Sequence, residues 1–128
     1  MKAISIRQPW IDLILQGRKT IEVRRWPTKH RGRIALHAAY NFDYKGIKHH
    51  GIDKAQLRNS AILGTVDIVD MIEFDRISWR KFVDQHLSYI ETWDRMTCRY
   101  GFVLTNARRL DEPRAMNGAS FLFEIGEL

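Results

Sequence analysis

Gly17-Arg18-Lys19-Thr20-Ile21-Glu22-Val23-Arg24 is the stretch on which the reading of the chain turns. It joins an apolar helical pattern to a short alternating strand. Glycine at position 17 can end a helix in the left-handed conformation that other residues resist. From Ile21 the period is two, so Ile21 and Val23 point to one face and Glu22 and Arg24 to the other. Lys19, Glu22 and Arg24 can thereby converge on one small polar site. The spacing fits two outcomes: a functional cluster, or a half-exposed strand with a cross-face ion pair, the commoner arrangement.

Working outward, Ala3 to Ile6 reads as a strand with Ile4 and Ile6 facing the core. Pro9 is placed to open a helix, since its missing N–H is not needed there. Trp10, Ile11, Leu13, Ile14 and Leu15 follow at helical spacing. Downstream, Ile21 to Arg25 is a strand ended by Trp26-Pro27, and Lys29-His30-Arg31-Gly32 is a basic turn. Arg33 to Ala38 is a third strand with Ile34 and Leu36 inward. Residues 39–60 are polar, with a short helix predicted from Asp53 to Asn59 and capped by Asp53. Ala61 to Phe74 is the longest β-like run, and Gly64 marks a bulge or a corner in it. Ser78 to His86 reads as a short helix, and Leu87 to Arg99 as irregular or helical. Tyr100 to Thr105 is a strand, Leu110-Asp111-Glu112-Pro113 a turn, and Ser120 to Ile125 closes the sheet. Trp79 and Trp93 read as structural. The pattern predicts one domain over residues 1–128, dominated by strands with short helices inserted between them, at the length of a small barrel.

A length of 128 residues suits one core, and 45% hydrophobic with 28% charged residues is a globular composition. No apolar run is long enough to cross a bilayer, and the first residues lack a signal peptide's apolar core. The single Cys98 forms no internal disulfide, so the expectation is a cytoplasmic protein with no membrane contact. Lys and Arg total 21 against 15 Asp and Glu, a net +6, which favours a polyanionic partner, usually nucleic acid. The excess is local: Arg18, Lys19, Arg24, Arg25, Lys29, Arg31 and Arg33 crowd one segment against Glu22 alone. No Cys/His pair has zinc spacing, adjacent His49 and His50 diverge in most backbones, and His37 reads as a satisfied strand residue. No metal and no cofactor are expected.

The motif Gly17, Lys19, Glu22, Arg24 matches G-x-K-x-x-E-x-R in full. Together with Ser5-Ile6-Arg7-Gln8-Pro9-Trp10, Trp26-Pro27, Arg31-Gly32 and Leu36-His37-Ala38 it strongly resembles the ASCH domain family. Gly64-Thr65-Val66, Tyr100-Gly101-Phe102-Val103-Leu104 and Gly118-Ala119-Ser120-Phe121 are similar in order and kind. The resemblance is strong over the first 40 residues and weak over 40–60 and 75–99. It implies an α+β fold, the PUA-like small β-barrel of five to six strands with short flanking helices shared with PUA, EVE and YTH domains, with a cleft beside the helix after strand one. In that superfamily the cleft takes RNA or a nucleobase. The resemblance further implies two activities found among ASCH proteins: ribonuclease, and amidohydrolase on N4-acetylcytidine. In the latter a lysine at the Lys19 position is the base, and threonine stands where this chain has Glu22.

RNA or a nucleotide is therefore the expected partner. Lys19, Arg24, Arg25 and Arg31 would face phosphate, Arg as a planar fork and Lys as a point charge, and Arg7 is a further RNA-binding candidate. Trp10, Trp26, Tyr40 and Tyr44 could stack on bases, with barrel packing as their other reading. Glu22 would pair with Arg24 or read a base edge. Ribonuclease chemistry needs a group to take the 2′-OH proton and a cation for the developing charge, and Tyr40, Lys45 and Ser120 are candidates beside Lys19 and Glu22. The ordinary reading of Tyr40, Lys45 and Ser120 is a polar loop and a strand cap. Hydrolysis with Lys19 as base needs a depressed lysine pKa, and a vestigial cleft would leave a non-catalytic protein-interaction adaptor. Lys19→Ala is expected to lower RNA affinity or turnover with little loss of melting temperature.

Overall fold

The sheet runs β2-β5-β4-β3-β1-β6 across six strands. The structure, a computed structural model, describes residues 1–90 and 93–128. In chain order its elements are β1 (Lys2–Ile6), α1 (Trp10–Leu15), β2 (Ile21–Arg24), β3 (Gly32–Ala38), α2 (Tyr44–His49), β4 (Ala61–Glu73), α3 (Arg76–Lys81), α4 (Val83–His86), β5 (Tyr100–Ala115) and β6 (Leu122–Glu124). Single 3-10 turns lie at Lys54–Gln56 and Trp93–Arg95. The β1–β3 pair is parallel, and the other ladders are antiparallel. Trp26 follows β2 and Phe121 precedes β6, the two edge strands, yet their rings lie 5.1 Å apart. The sheet is therefore curled into a half-barrel, with the ends of its two edge strands brought near each other.

Period-two alternation fills that barrel. Ile4 and Ile6 of β1, Ile34 and Leu36 of β3, and Phe102 and Leu104 of β5 turn inward with Ile11 and Ile14 of α1. Ile21 of β2 faces the other way, into a second cluster with Phe74, Trp79 and Met96 beneath α3 and α4. Val23 packs against the same cluster. Trp79 is fully buried there and Trp93 packs against it, as expected of structural tryptophans. Because Ile21 and Val23 have an apolar cover of their own, the opposite face of β2 is free to line the barrel mouth.

Several expectations need correction. The helix predicted over Asp53–Asn59 is one 3-10 turn capped by Asp53, since its exposed residues have no apolar face to bury. Asp43 instead caps α2 within the stretch read as polar chain, its side chain accepting from the Gly46 N–H. The Ser78–His86 helix is two, α3 and α4, broken at Phe82. Of the segment 87–99, residues 91 and 92 lie outside the described residues, and the rest is irregular apart from Trp93–Arg95. The turn predicted at Leu110–Pro113 lies inside β5. There the β4–β5 register jumps from Arg109 opposite Gly64 to Arg114 opposite Ile62, leaving residues 110–113 beside Leu63 alone. A bulge absorbs Pro113, whose missing N–H is not needed in an unpaired stretch. Gly64 does sit at this corner: a Cβ there would clash with the Arg108 carbonyl oxygen and lie 2.5 Å from Leu15 Cδ2.

Candidate functional site

Gly17 adopts φ +78°, and the N–H groups of Arg18 and Lys19 both return to the Leu13 carbonyl at 3.0 Å. This tight helix stop folds Lys19 back toward the barrel, where only 3% of the residue is exposed. Its Nζ donates to the His86 carbonyl and lies 3.5 Å from Glu22 Oε1. It also sits 5.0 Å from the centre of the Trp10 ring. Glu22 is 4% exposed, and its Oε2 lies 3.3 Å from Arg24 Nη1. Lys19 and Glu22 thus form a buried pair with Arg24 at its edge, not the solvent face of an ordinary strand. Arg24 is half-buried and rests over Trp26, 5.5 Å from the ring centre.

Burial holds the Lys19 ammonium below the ordinary lysine pKa, with the Glu22 carboxylate opposing the shift. Burial likewise depresses the pKa of His86, and the charge of Lys19 adds to the effect. The His86 tautomer is set by its partners. The Trp79 carbonyl, 2.8 Å from Nε2, can only accept, and the Ser88 N–H, 3.0 Å from Nδ1, can only donate. A neutral ring satisfies both while it stacks on Trp79 at 3.8 Å.

A cleft of about 420 Å³ opens between the barrel mouth and residues 88–90 and 96–98. Arg7, Trp10, Lys19, Glu22, Arg24, Arg25 and Trp26 line it, so seven of the sequence-predicted site residues come together there. The other five, Tyr40, Tyr44, Lys45, Ser120 and Arg31, do not line it. Tyr40 is 75% exposed, with its carbonyl held by the Asn59 amide at 2.7 Å. Lys45 is exposed on α2, and Ser120 is exposed ahead of β6. Arg31 donates to the Thr28 and His30 carbonyls of its own turn at 3.1 and 3.0 Å.

Asp43, Ser88 and Tyr89 also line the cleft and were not foreseen. Asp43 accepts the Trp10 indole N–H at 3.1 Å while capping α2, and Arg7 Nη2 lies 3.9 Å away. Tyr89 stacks near-parallel to Trp10, with centroids 6.2 Å apart and planes inclined by 21°. Burial, and then the Asp43 charge, push its phenol pKa up. The signal that could have found Asp43 is its N-cap spacing, three residues before the Gly46 N–H. Tyr89 sits where the sequence has no period and gave no signal.

His37 is satisfied as expected, with Nδ1 2.9 Å from Ser5 Oγ and Nε2 2.8 Å from the Met116 carbonyl. The His49 and His50 rings do touch, at 4.8 Å, but His50 Nε2 is engaged by the Leu87 carbonyl. Among the described residues no three His, Cys, Asp or Glu side chains gather as a metal site. No helix among them is long and apolar enough to cross a membrane.

The ASCH domain family model matches residues 4–114. The chain belongs to the ASCH domain family. A curated relative, Activating signal cointegrator 1 of Homo sapiens, is 46% identical over 35 residues, which is 27% of this chain and 6% of that protein. The chain thus matches only a small part of that relative's length. The crystal structure of ASCH from Zymomonas mobilis superposes with a TM-score of 0.70 at 14% identity, covering 97% of this chain and 86% of the other. Two point mutants of the same Zymomonas mobilis protein superpose at 0.64 and 16% identity, covering 89% and 90% of this chain and 74% and 73% of theirs. At that identity the likeness is one of fold. The curled six-stranded sheet with short helices is the PUA-like fold of ASCH structures.

Proposed function

We propose that this ASCH domain binds RNA, taking one nucleotide into the cleft. What supports the reading is the lining, where Trp10, Trp26 and Tyr89 meet Arg7, Arg24 and Arg25 around one hollow. A volume of about 420 Å³ falls low in the usual range of small-molecule sites, roughly 300–1,000 Å³. That scale suits one nucleotide inside, with the rest of a strand outside. In this reading the aromatic rings take the base by stacking, and the exposed Arg7 and Arg25 with Arg24 take phosphate. Lys19 has a different part from the one its sequence position suggested. Its ammonium is enclosed by Glu22, His86 and Trp10, so the Lys19–Glu22 pair forms the floor and offers a donor and an acceptor to a base edge. The test is fluorescence anisotropy of labelled single-stranded RNA at low salt, with DNA of the same sequence alongside. Saturable RNA binding that a free nucleoside monophosphate competes away is the expected result. No binding of RNA at low salt would refute the reading.

A second reading, hydrolysis of an N-acylated nucleoside with Lys19 as base, is supported by the depressed pKa of Lys19 at the cleft floor. Incubation with N4-acetylcytidine tests it, cytidine and acetate being the expected products. An unchanged nucleoside removes it. The ribonuclease alternative draws no comparable support, because Tyr40, Lys45 and Ser120 all lie off the cleft lining.

A further inference from the structure

We infer that Tyr44 and Phe42, with Lys54 laid across both rings, form a stacking platform that carries a single RNA strand onward from the cleft. The inference rests on the RNA reading above and extends it to what happens beyond the first nucleotide. Tyr44 is 62% exposed, the kind of surface aromatic that packing does not account for. Its ring lies 6.1 Å from that of Phe42, and Lys54 Nζ sits 5.3 Å from Tyr44 and 4.9 Å from Phe42.

The platform is fixed to the cleft through one residue. Asp43, between the two aromatics in sequence, lines the cleft and accepts the Trp10 indole N–H. The fit of α2 against Trp10 is also tight, since a Cβ on Gly46 would come 2.7 Å from Trp10 Cζ2. The exposed Tyr44 ring and the half-buried Phe42 ring are therefore carried on backbone held in place, which lowers the ordering cost of a ligand laid over them.

Charge complementarity selects the occupant. Lys45, Lys48, Lys54 and Arg58 are all exposed. The acids of the segment are turned to the backbone instead: Asp43 caps α2 and Asp53 caps the 3-10 turn. Lys48 lies one turn after Tyr44 on the same helical face. Rings flanked by cations suit a chain of unpaired bases joined by phosphates. A duplex keeps its base faces covered and offers nothing for Tyr44 to stack on.

The experiment compares a nucleoside monophosphate with a ten-nucleotide single-stranded RNA, free and annealed to its complement, on wild type and Tyr44→Ala. The expected result is a loss of at least about fivefold for the single strand in Tyr44→Ala, the low end for one stacked base. Mononucleotide affinity stays unchanged, Tyr44→Phe restores the single strand, and the duplex binds more weakly than the free strand. Lys54→Ala reads the same way should Tyr44→Ala lower the melting temperature. Wild-type affinity for the single strand in both alanine variants, or a duplex bound as tightly as the strand, overturns the platform while leaving the cleft reading standing. Wild type that binds neither mononucleotide nor strand overturns both.

Discussion

Glu22 holds the site together at the scale of single residues, because it is the acid shared by Lys19 and Arg24. Removing its charge leaves a buried ammonium beside the His86 carbonyl and the Trp10 ring, neither of which carries a compensating charge. Breaking one partner of such a buried pair costs about 3–5 kcal/mol, whereas replacing both with apolar residues of similar volume is close to neutral. Glu22→Met is accordingly predicted to lower the melting temperature sharply, and the double variant Lys19→Met with Glu22→Met to recover most of the loss. Calorimetry on the single and double variants checks this, and additive losses would show that the pair is not coupled. Because the Lys19 side chain is buried, Lys19→Ala is predicted to lower the melting temperature as well, against the expectation from the sequence. His86 gives a second prediction. Its folded pKa lies below the unfolded value of 6.5, so in the interval beneath 6.5 the unfolded chain binds more protons. Stability therefore rises with pH across that interval and levels off above it. Melting curves from pH 5 to 7 should show the rise in wild type and a flatter profile in His86→Gln.

Among the elements, β4 and β5 set the barrel's curvature through their bulges, and Gly64 is the position that permits the sharpest one. A Cβ there meets the Arg108 carbonyl, which is backbone and cannot swing aside as a side chain could. Gly64→Ala is predicted to destabilise by about 1–3 kcal/mol, the usual cost of overpacking. A melting temperature equal to wild type would mean that the strands adjust freely. The sequence disclosed this glycine's role, because a lone glycine inside a strong strand pattern has few other uses. It also disclosed β1, α1, β2 and β3, where period two and period 3.6 are clean and Gly17 separates them. It did not disclose the length of β5, since Leu110–Pro113 has turn chemistry and only tertiary pairing on both sides keeps it in the strand. Nor did it disclose Ser88 and Tyr89. They reach the cleft because His86 and Trp79 anchor the segment before them, a contact between residues with no common period.

For the whole molecule, a net charge of +6 becomes informative only once the curl of the sheet places it. Arg7 leaves β1 and Arg24 and Arg25 leave β2, strands separated in the sheet order, yet all three border one hollow. That convergence is why the motif Gly17, Lys19, Glu22, Arg24 could be read as a site while its depth could not. Alternation shows that Glu22 and Arg24 share a face, but whether that face meets water or the barrel mouth depends on where β5 and Trp26 go. The claim that those arginines hold phosphate is tested most directly by the salt dependence of single-stranded RNA affinity in wild type and in Arg25→Ala. Arg25 is exposed, so the variant keeps the fold, and its melting temperature is the control. The account predicts that log affinity falls linearly with log salt and that Arg25→Ala lowers the slope by roughly 0.7, one single-strand phosphate contact. An affinity indifferent to salt in wild type, or a slope unchanged in Arg25→Ala, would contradict it.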